Sequence, residues 1–342
     1  MSDFLDPLVS GVYRRQATAD SWPQSPAPQQ EDIEAATAIV HEAWPPTPIV
    51  LSMPLSRVFD RAVYLKLESL APIRSFKFRG ALVSAATIAS RRPGAHVYTA
   101  STGNHGQGVA YAAARFGLGV TVYSPSTALE EKVQAMRDLG ANVVIEGDNL
   151  SAAQAGAEQS ADSAGGIYVE DGEDPHLMAG AATVAYEVAS SDESVDALLV
   201  PVGGGNLVAG SLMAGRHLSS NIDIIGVQST AASGATASWL AGEVVTRPCN
   251  TFAGGLATEF PGEMSWQVMD RWLETMVLVD EDDLYRAVAL AFRQTGLIIE
   301  GAAAATIAAL ATHGGQIPAE RIALIITGSW LSSAELERAL EL

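Results

Sequence analysis

The sequence predicts an α/β protein of two domains, its sheets mostly parallel and flanked by helices. Short β-rich runs recur at Ala62–Leu67, His96–Ala100, Val120–Ser124, Asn142–Glu146, Ala197–Val202, Ile222–Gln228 and Ile322–Thr327, with helical segments between them. Such alternation argues for parallel strands joined by crossover helices. Alanine-rich stretches between the runs, such as Gly108–Phe116 and Ala302–Leu310, carry side chains small enough for a helix to lie close on a sheet. A length of 342 residues, 48% of them hydrophobic, suffices for the cores of two domains.

Residues 1–30 contain Pro23, Pro26, Pro28 and the pair Gln29-Gln30, which resist helix and offer little to bury. They read as a flexible arm, with Leu8 and Trp22 the residues able to dock on a neighbouring subunit. From Glu31 the pattern Glu-Asp-Ile-Glu-Ala-Ala-Thr-Ala-Ile-Val reads as a helix with acids in its first turn, where the dipole favours them. The folded body begins there. No repeat of fixed period and no heptad pattern interrupts it.

Composition excludes several functions. The 20 Lys and Arg against 39 Asp and Glu leave a charge of −19, which repels a nucleic-acid backbone. Cys249 is the single cysteine and cannot form an internal disulfide, and no Cys/His pairs stand at zinc-ligand spacing. No apolar run approaches the about 18 residues of a spanning helix, and no basic-then-apolar leader opens the chain. The expectation is a cytoplasmic protein without a membrane or nucleic-acid partner.

Three glycine-rich turns and one lysine carry the chemistry. In Ala197-Leu-Leu-Val-Pro-Val-Gly203-Gly204-Gly205-Asn206 an apolar strand runs into three glycines and then a helix. Bare N–H groups there can converge on a phosphate with the positive helix end behind them. The alternative is a tight turn that needs glycine only for φ > 0. Spacing argues against a dinucleotide site, and no Walker Gly-Lys-Ser/Thr follows. In Arg74-Ser75-Phe76-Lys77-Phe78-Arg79-Gly80 a lysine stands between two aromatics before a helix. Loss of hydration among rings favours a neutral amine able to condense with an aldehyde; from this segment alone, a surface lysine beside core aromatics is the plainer reading. Ser101-Thr102-Gly103-Asn104-His105-Gly106-Gln107 offers hydroxyls, an amide and bare N–H groups to a carboxylate, or else is an N-cap with glycine turns. Ile325-Ile326-Thr327-Gly328-Ser329 is a strand ending in hydroxyls and by itself is silent.

Together these segments resemble the fold type II pyridoxal phosphate (PLP) enzymes, which are tryptophan synthase β-like, and in particular their threonine/serine dehydratase and serine racemase branch. The likeness runs from about Asp32 to Ser333 and includes Thr251-Phe-Ala-Gly-Gly255-Leu-Ala and Glu300-Gly301-Ala302. It implies a large PLP-binding domain from residues 31–91 and 175–342, a small domain from 92–174, a homodimer, and PLP as cofactor. Lys77 would bind the cofactor covalently and serve as the base at Cα, Phe76 and Gly255 would flank the ring, Asn104 would bond its phenolic oxygen, and Gly203, Gly204, Gly205 and Asn206 would hold its phosphate. Ser101, Thr102, Asn104 and His105 would grip the substrate carboxylate, Glu300 would lie by the cofactor, and Thr327 would face the pyridine nitrogen. A hydroxyl there cannot keep that nitrogen protonated as a carboxylate does, so the ring is a weaker electron sink and β-elimination is favoured over transamination.

The implied activity is an ammonia-lyase (dehydratase) acting on L-threonine, L-serine or 3-hydroxyaspartate, with an amino-acid racemase or a β-replacement enzyme as the alternatives. Thr102 bears on the choice, since it stands where the racemases have serine and many dehydratases alanine. Gln228 and Gly234 replace charged ligands at the branch's cation site, so no structural magnesium or calcium is expected. Arg74 stands where a small residue is usual; turned inward it would clamp a second carboxylate, and turned outward it is solvated. The chain ends soon after Trp330, so no carboxyl-terminal regulatory domain is expected.

Overall fold

A computed structural model describes residues 7–24 and 26–342 of the chain. Its strands are β1 (Gly11–Arg14), β2 (Ile49–Leu51), β3 (Ala62–Leu67), β4 (His96–Ala100), β5 (Gly119–Ser124), β6 (Asn142–Ile145), β7 (Ile167–Tyr168), β8 (Ala197–Pro201), β9 (Asp223–Ser229), β10 (Thr275–Val279) and β11 (Arg321–Ile326). Seven form one sheet in the order β1-β10-β9-β8-β11-β3-β2, and four form a second in the order β6-β5-β4-β7. Neighbours run parallel except β1 with β10 and β2 with β3, at the two edges of the larger sheet.

Each of the seven β-rich runs of the sequence coincides with a strand or most of one. Four strands escape the sequence pattern: three are edge strands of two to four residues, and the fourth, β10, follows helix Glu263–Trp272 with no glycine or proline between them. The central strands are covered on both faces, as parallel strands must be. Along β11, Ile322, Leu324 and Ile326 pack towards helices Glu281–Thr295 and Gly301–His313, while Ala323 and Ile325 pack towards Pro175–Ala189 and Asn206–His217. The smaller sheet shares a core with helices Lys77–Arg91 and Asn104–Phe116.

The amino-terminal stretch differs from the flexible arm expected. Residues 1–6 and 25 lie outside the described residues, but Gly11–Arg14 adds an antiparallel strand to β10. Trp22 packs edge-on against Trp272 with ring centroids 5.3 Å apart, and Arg15 pairs with Asp270 at 2.5 Å. The physical reason is the outer edge of β10, whose ladder groups need partners; Gly-Val-Tyr-Arg supplies them, and the indole adds buried apolar area. Trp22 thus docks on its own chain.

Helix Lys77–Arg91 is held from two directions. A β-carbon on Gly80 would stand 2.7 Å from the Leu177 carbonyl oxygen, and one on Gly180 would run into the Gly80 backbone. Only residues without Cβ let these two helices approach so closely. Next to Gly80, Arg79 is fully buried in a charge cluster. Its guanidinium donates to Glu68 at 2.8 and 3.0 Å, to Glu187 at 2.6 and 2.9 Å and to Thr183 at 2.9 Å, while Lys66 pairs with Glu187 and donates to the Thr47 carbonyl at 2.8 Å. Burial pushes the Glu187 carboxyl up, but the Arg79 hydrogen bonds and charge, joined by Lys66, outweigh it and hold the group at about 2.

Removing one partner strands a buried charge, so Arg79→Met is expected to cost about 3–5 kcal/mol in urea unfolding. A carboxyl held below its ordinary 4.5 stabilises fully above that value and loses its contribution as pH falls towards 2. Glu187→Gln should therefore lower stability at pH 7 and flatten the acid limb of a plot of unfolding free energy against pH. An unchanged acid limb would refute the assignment.

Candidate active site

The loop before Lys77 is tied to the end of β11. The Phe76 N–H donates to the Thr327 carbonyl at 3.0 Å, and Ser75 forms an antiparallel bridge with Gly328. Lys77 opens its helix beside them, its Nζ 5.7 Å from the centroid of the Phe76 ring. Rather than standing among aromatics alone, the amine faces a carboxylate: Asp171 Oδ1 and Oδ2 lie 2.6 and 2.7 Å from Nζ. The Asp171 carboxyl is pushed up by burial but held down at about 2, chiefly by the charge of Lys77 and its hydrogen bond.

The turn after β4 brings Ser101–His105 to the same place. Ser101 Oγ accepts from the Gly103 N–H at 2.9 Å, which shapes the turn, and Thr102 is exposed. Thr99 gives its single hydroxyl proton to the Val169 carbonyl at 2.7 Å, so it accepts from His105 Nε2 at 2.9 Å. That fixes the tautomer of the neutral ring and leaves Nδ1 as a lone-pair acceptor, 3.6 Å from Asp171. Burial lowers the His105 pKa against the opposing charge of Asp171, which favours the neutral ring.

Glu300 joins the remaining groups. It accepts from Asn104 Nδ2 at 2.9 Å and from the Thr327 hydroxyl at 3.0 Å, and its N–H donates to the Gly328 carbonyl at 3.1 Å. Burial raises the Glu300 carboxyl, opposed by the Asn104 hydrogen bond and the charge of Lys132. A β-carbon on Gly255 would lie 3.7 Å from the same carboxylate, and one on Gly203 would lie 2.6 Å from the Gly255 carbonyl. Contacts therefore run from the triple-glycine turn through Gly255 and Glu300 to Asn104, Thr327, Phe76, Lys77 and Asp171.

The triple-glycine turn joins β8 to helix Asn206–His217, with Gly205 at φ +100°. Among the described residues, no acceptor pairs with the N–H groups of Gly203, Gly204, Gly205 or Asn206. The Asn206 side chain is occupied by Ser265, whose hydroxyl donates to Oδ1 at 2.9 Å. Asn104 Oδ1 is buried without a partner. Four free donors at a helix start, an unpartnered amide oxygen and a primary amine are the complements of a phosphate, a phenol and an aldehyde. The residues fit PLP.

Arg74 stands apart. It sits at φ +60°, donates to Ser329 Oγ and the Ser329 carbonyl at 3.0 and 2.6 Å, and lies over the Trp330 ring at 4.5 Å. None of the other candidate residues is among these partners. Gln228 Oε1 accepts from Thr236 N–H and hydroxyl at 3.0 and 2.8 Å, and among the described residues no three acids, histidines or cysteines are grouped to hold a metal. A cavity of about 1030 Å³ lies elsewhere, lined by residues that include Arg14, Trp22, Asp223 and Glu274, and shares no residue with the site. No helix among the described residues is long and apolar enough to cross a membrane.

Two residues of the site escaped the sequence reading. Asp171 lies in Val-Glu-Asp-Gly-Glu-Asp-Pro, an acidic run that reads as a solvated loop, and Lys132 sits on an exposed amphipathic helix yet lays its side chain across Gly103. No local signal marks either one.

Comparison with known proteins defines the class. The profile of the pyridoxal-phosphate dependent enzyme family matches residues 40–328, and the chain belongs to that family. An L-threonine ammonia-lyase of Thermotoga maritima is 32% identical over 311 residues, 90% of this chain and 77% of that protein. Among solved structures, the processed threonine deaminase isoform 2 of Solanum lycopersicum superposes with a TM-score of 0.88 at 27% identity, covering 100% of this chain and 94% of that one. A PLP-dependent aspartate racemase superposes at 0.86 with 29% identity, over 92% and 99%. The chain is thus a PLP-dependent enzyme of fold type II.

Gly203→Ala tests the cradle. Its methyl group must push the Gly255 turn away, at a cost of about 1–3 kcal/mol. Absorbance titration of the cofactor-free protein should show PLP binding weakened roughly ten- to hundredfold; unaltered affinity would place the phosphate elsewhere.

Proposed function

We propose that the protein is an ammonia-lyase that removes water from a small β-hydroxy amino acid, L-serine or L-threonine, to give a 2-oxo acid and ammonia. The observation that carries this reading is the meeting of Lys77, the four free N–H groups of the triple-glycine turn and a hydroxyl, Thr327, at one site. Bound there, PLP would supply an aldehyde that captures amines covalently and a ring that spreads negative charge from Cα.

The chain's own residues divide the work. Lys77 would hold the cofactor, and its amine, once free, would be placed to take the Cα proton. Phe76 and Gly255 would flank the ring, and the Gly203–Asn206 N–H groups with the helix dipole would hold the phosphate. The hydroxyl and backbone N–H groups of Ser101, Thr102, Asn104 and His105 would grip the substrate carboxylate. Loss of the β-hydroxyl as water leaves an unsaturated amine, which hydrolyses on release. Thr327, whose hydroxyl donates to Glu300, would leave the ring a moderate electron sink, which supports elimination over transamination. The same reading takes residues 31–91 and 175–342 as the large domain, 92–174 as the small one, and a cytoplasmic homodimer as the working form.

A second reading, amino-acid racemisation, is favoured by the likeness to an aspartate racemase and by Thr102, an exposed hydroxyl in the loop that would deliver a proton to the far face. Incubation with L-serine and L-threonine, assaying 2-oxo acid beside the chirality of the remaining amino acid, separates the two. Equimolar 2-oxo acid and ammonia are expected, and formation of the D enantiomer alone would overturn the proposal. Lys77→Ala should lower turnover by about 10³-fold or more and abolish borohydride trapping of the cofactor on the protein.

A further inference from the structure

The acidic run Glu170–Asp174 contains four carboxylates, and three are engaged elsewhere or turned away. Glu173 accepts from the Glu263 N–H at 2.8 Å, Asp174 caps helix Pro175–Ala189 and accepts from Ser84 at 2.5 Å, and Glu170 is exposed. Asp171 alone turns to Lys77. Its side chain is 33% exposed, so solvent and small solutes reach it beside Lys77.

The position of Asp171 constrains what binds beside it. An amine that takes the Cα proton must come within hydrogen-bond reach of Cα. A carboxylate 2.6–2.7 Å from that amine in the free protein therefore borders the space that the substrate would fill. When Lys77 turns to the cofactor, Asp171 loses its hydrogen-bonding cation. What faces the substrate side chain is a carboxylate and, 3.6 Å from it, the bare Nδ1 of His105. Both are acceptors. The other charged groups nearby are Lys132, lying across Gly103, and Glu300, which is engaged by Asn104 and Thr327. Arg74, the one guanidinium in the candidate set, is committed to Ser329 and Trp330.

We propose that Asp171, with His105 Nδ1, selects the substrate's side chain: the pair accepts from a hydrogen-bond donor on Cβ, a hydroxyl or an ammonium, and rejects a carboxylate there. The inference rests on the reading of the site as an amino-acid lyase and narrows it, moving 3-hydroxyaspartate to the bottom of the substrate order and serine, threonine and 2,3-diamino acids to the top.

Binding to the holoenzyme tests this without turnover. L-2,3-diaminopropionate, L-asparagine and L-aspartate are close in size and differ in charge on the Cβ group. Rapid mixing with each, followed by the first absorbance change of the bound cofactor, gives a dissociation constant. The expected order is diaminopropionate tightest and aspartate weakest, with a ratio of at least about thirtyfold between them. Asp171→Asn should bring the ratio within about threefold, and Asp171→Glu should restore most of it. PLP content and thermal midpoint of both variants establish that the fold is intact; should Asp171→Asn fail to fold, the wild-type ratio and the Asp171→Glu variant still decide. A wild-type ratio below threefold, or a ratio unmoved by Asp171→Asn, overturns the proposal. Failure of the lyase reading itself shows separately, as absence of 2-oxo acid from serine and threonine.

Discussion

The site depends on the immobility of one helix. Lys77 is the first residue of Lys77–Arg91, and the covalent attachment point proposed for it is useful only if its backbone stays in register with groups contributed from elsewhere in the chain. The Gly80–Gly180 contact brings the helix against Pro175–Ala189 at backbone distance, and the buried guanidinium of Arg79 fixes its rotation. Neither device is cheap. A buried ion cluster is rarely a net gain over apolar packing, but it is costly to misalign, so it enforces one geometry. Placing it two residues from Lys77 puts that specificity where the amine needs it.

From that fixed point the site is assembled by strand ends. The triple-glycine turn follows β8, Thr327 follows β11, Ser101–His105 follows β4, and Asp171 lies just past β7. Parallel sheets bring the carboxyl ends of their strands to one edge, and a ligand cleft forms where two such edges meet. Glu300 is the junction. Its carboxyl bonds both Asn104, from the smaller sheet's loop, and Thr327, from the larger sheet, so one buried group couples the halves of the cleft.

The electrostatics follow from the same arrangement. A chain with net charge −19 would repel an anionic cofactor at long range. Close in, free N–H groups and a helix start supply the opposite potential, and the strength of such groups rises as water is excluded. Negative charge is instead placed at Asp171, where it meets the Lys77 amine.

The sequence by itself determined whatever is carried by contiguous residues. The three-glycine strand-to-helix turn, the lysine motif, the hydroxyl-rich turn and seven of the strands were readable because backbone freedom, hydrogen-bonding type and hydrophobic period are local properties. Tertiary structure alone decided the rest. Asp171 meets Lys77 across 94 residues and Glu300 meets Asn104 across 196, and no local pattern encodes such pairings. β10 and the docking of Gly11–Arg14 on it were equally hidden, since an edge strand is stabilised by the neighbour it finds rather than by its own four residues. Arg74 gives the same lesson: its residue type allowed a carboxylate clamp, and its direction was set by Ser329 and Trp330, two groups that reach it only when the chain has folded.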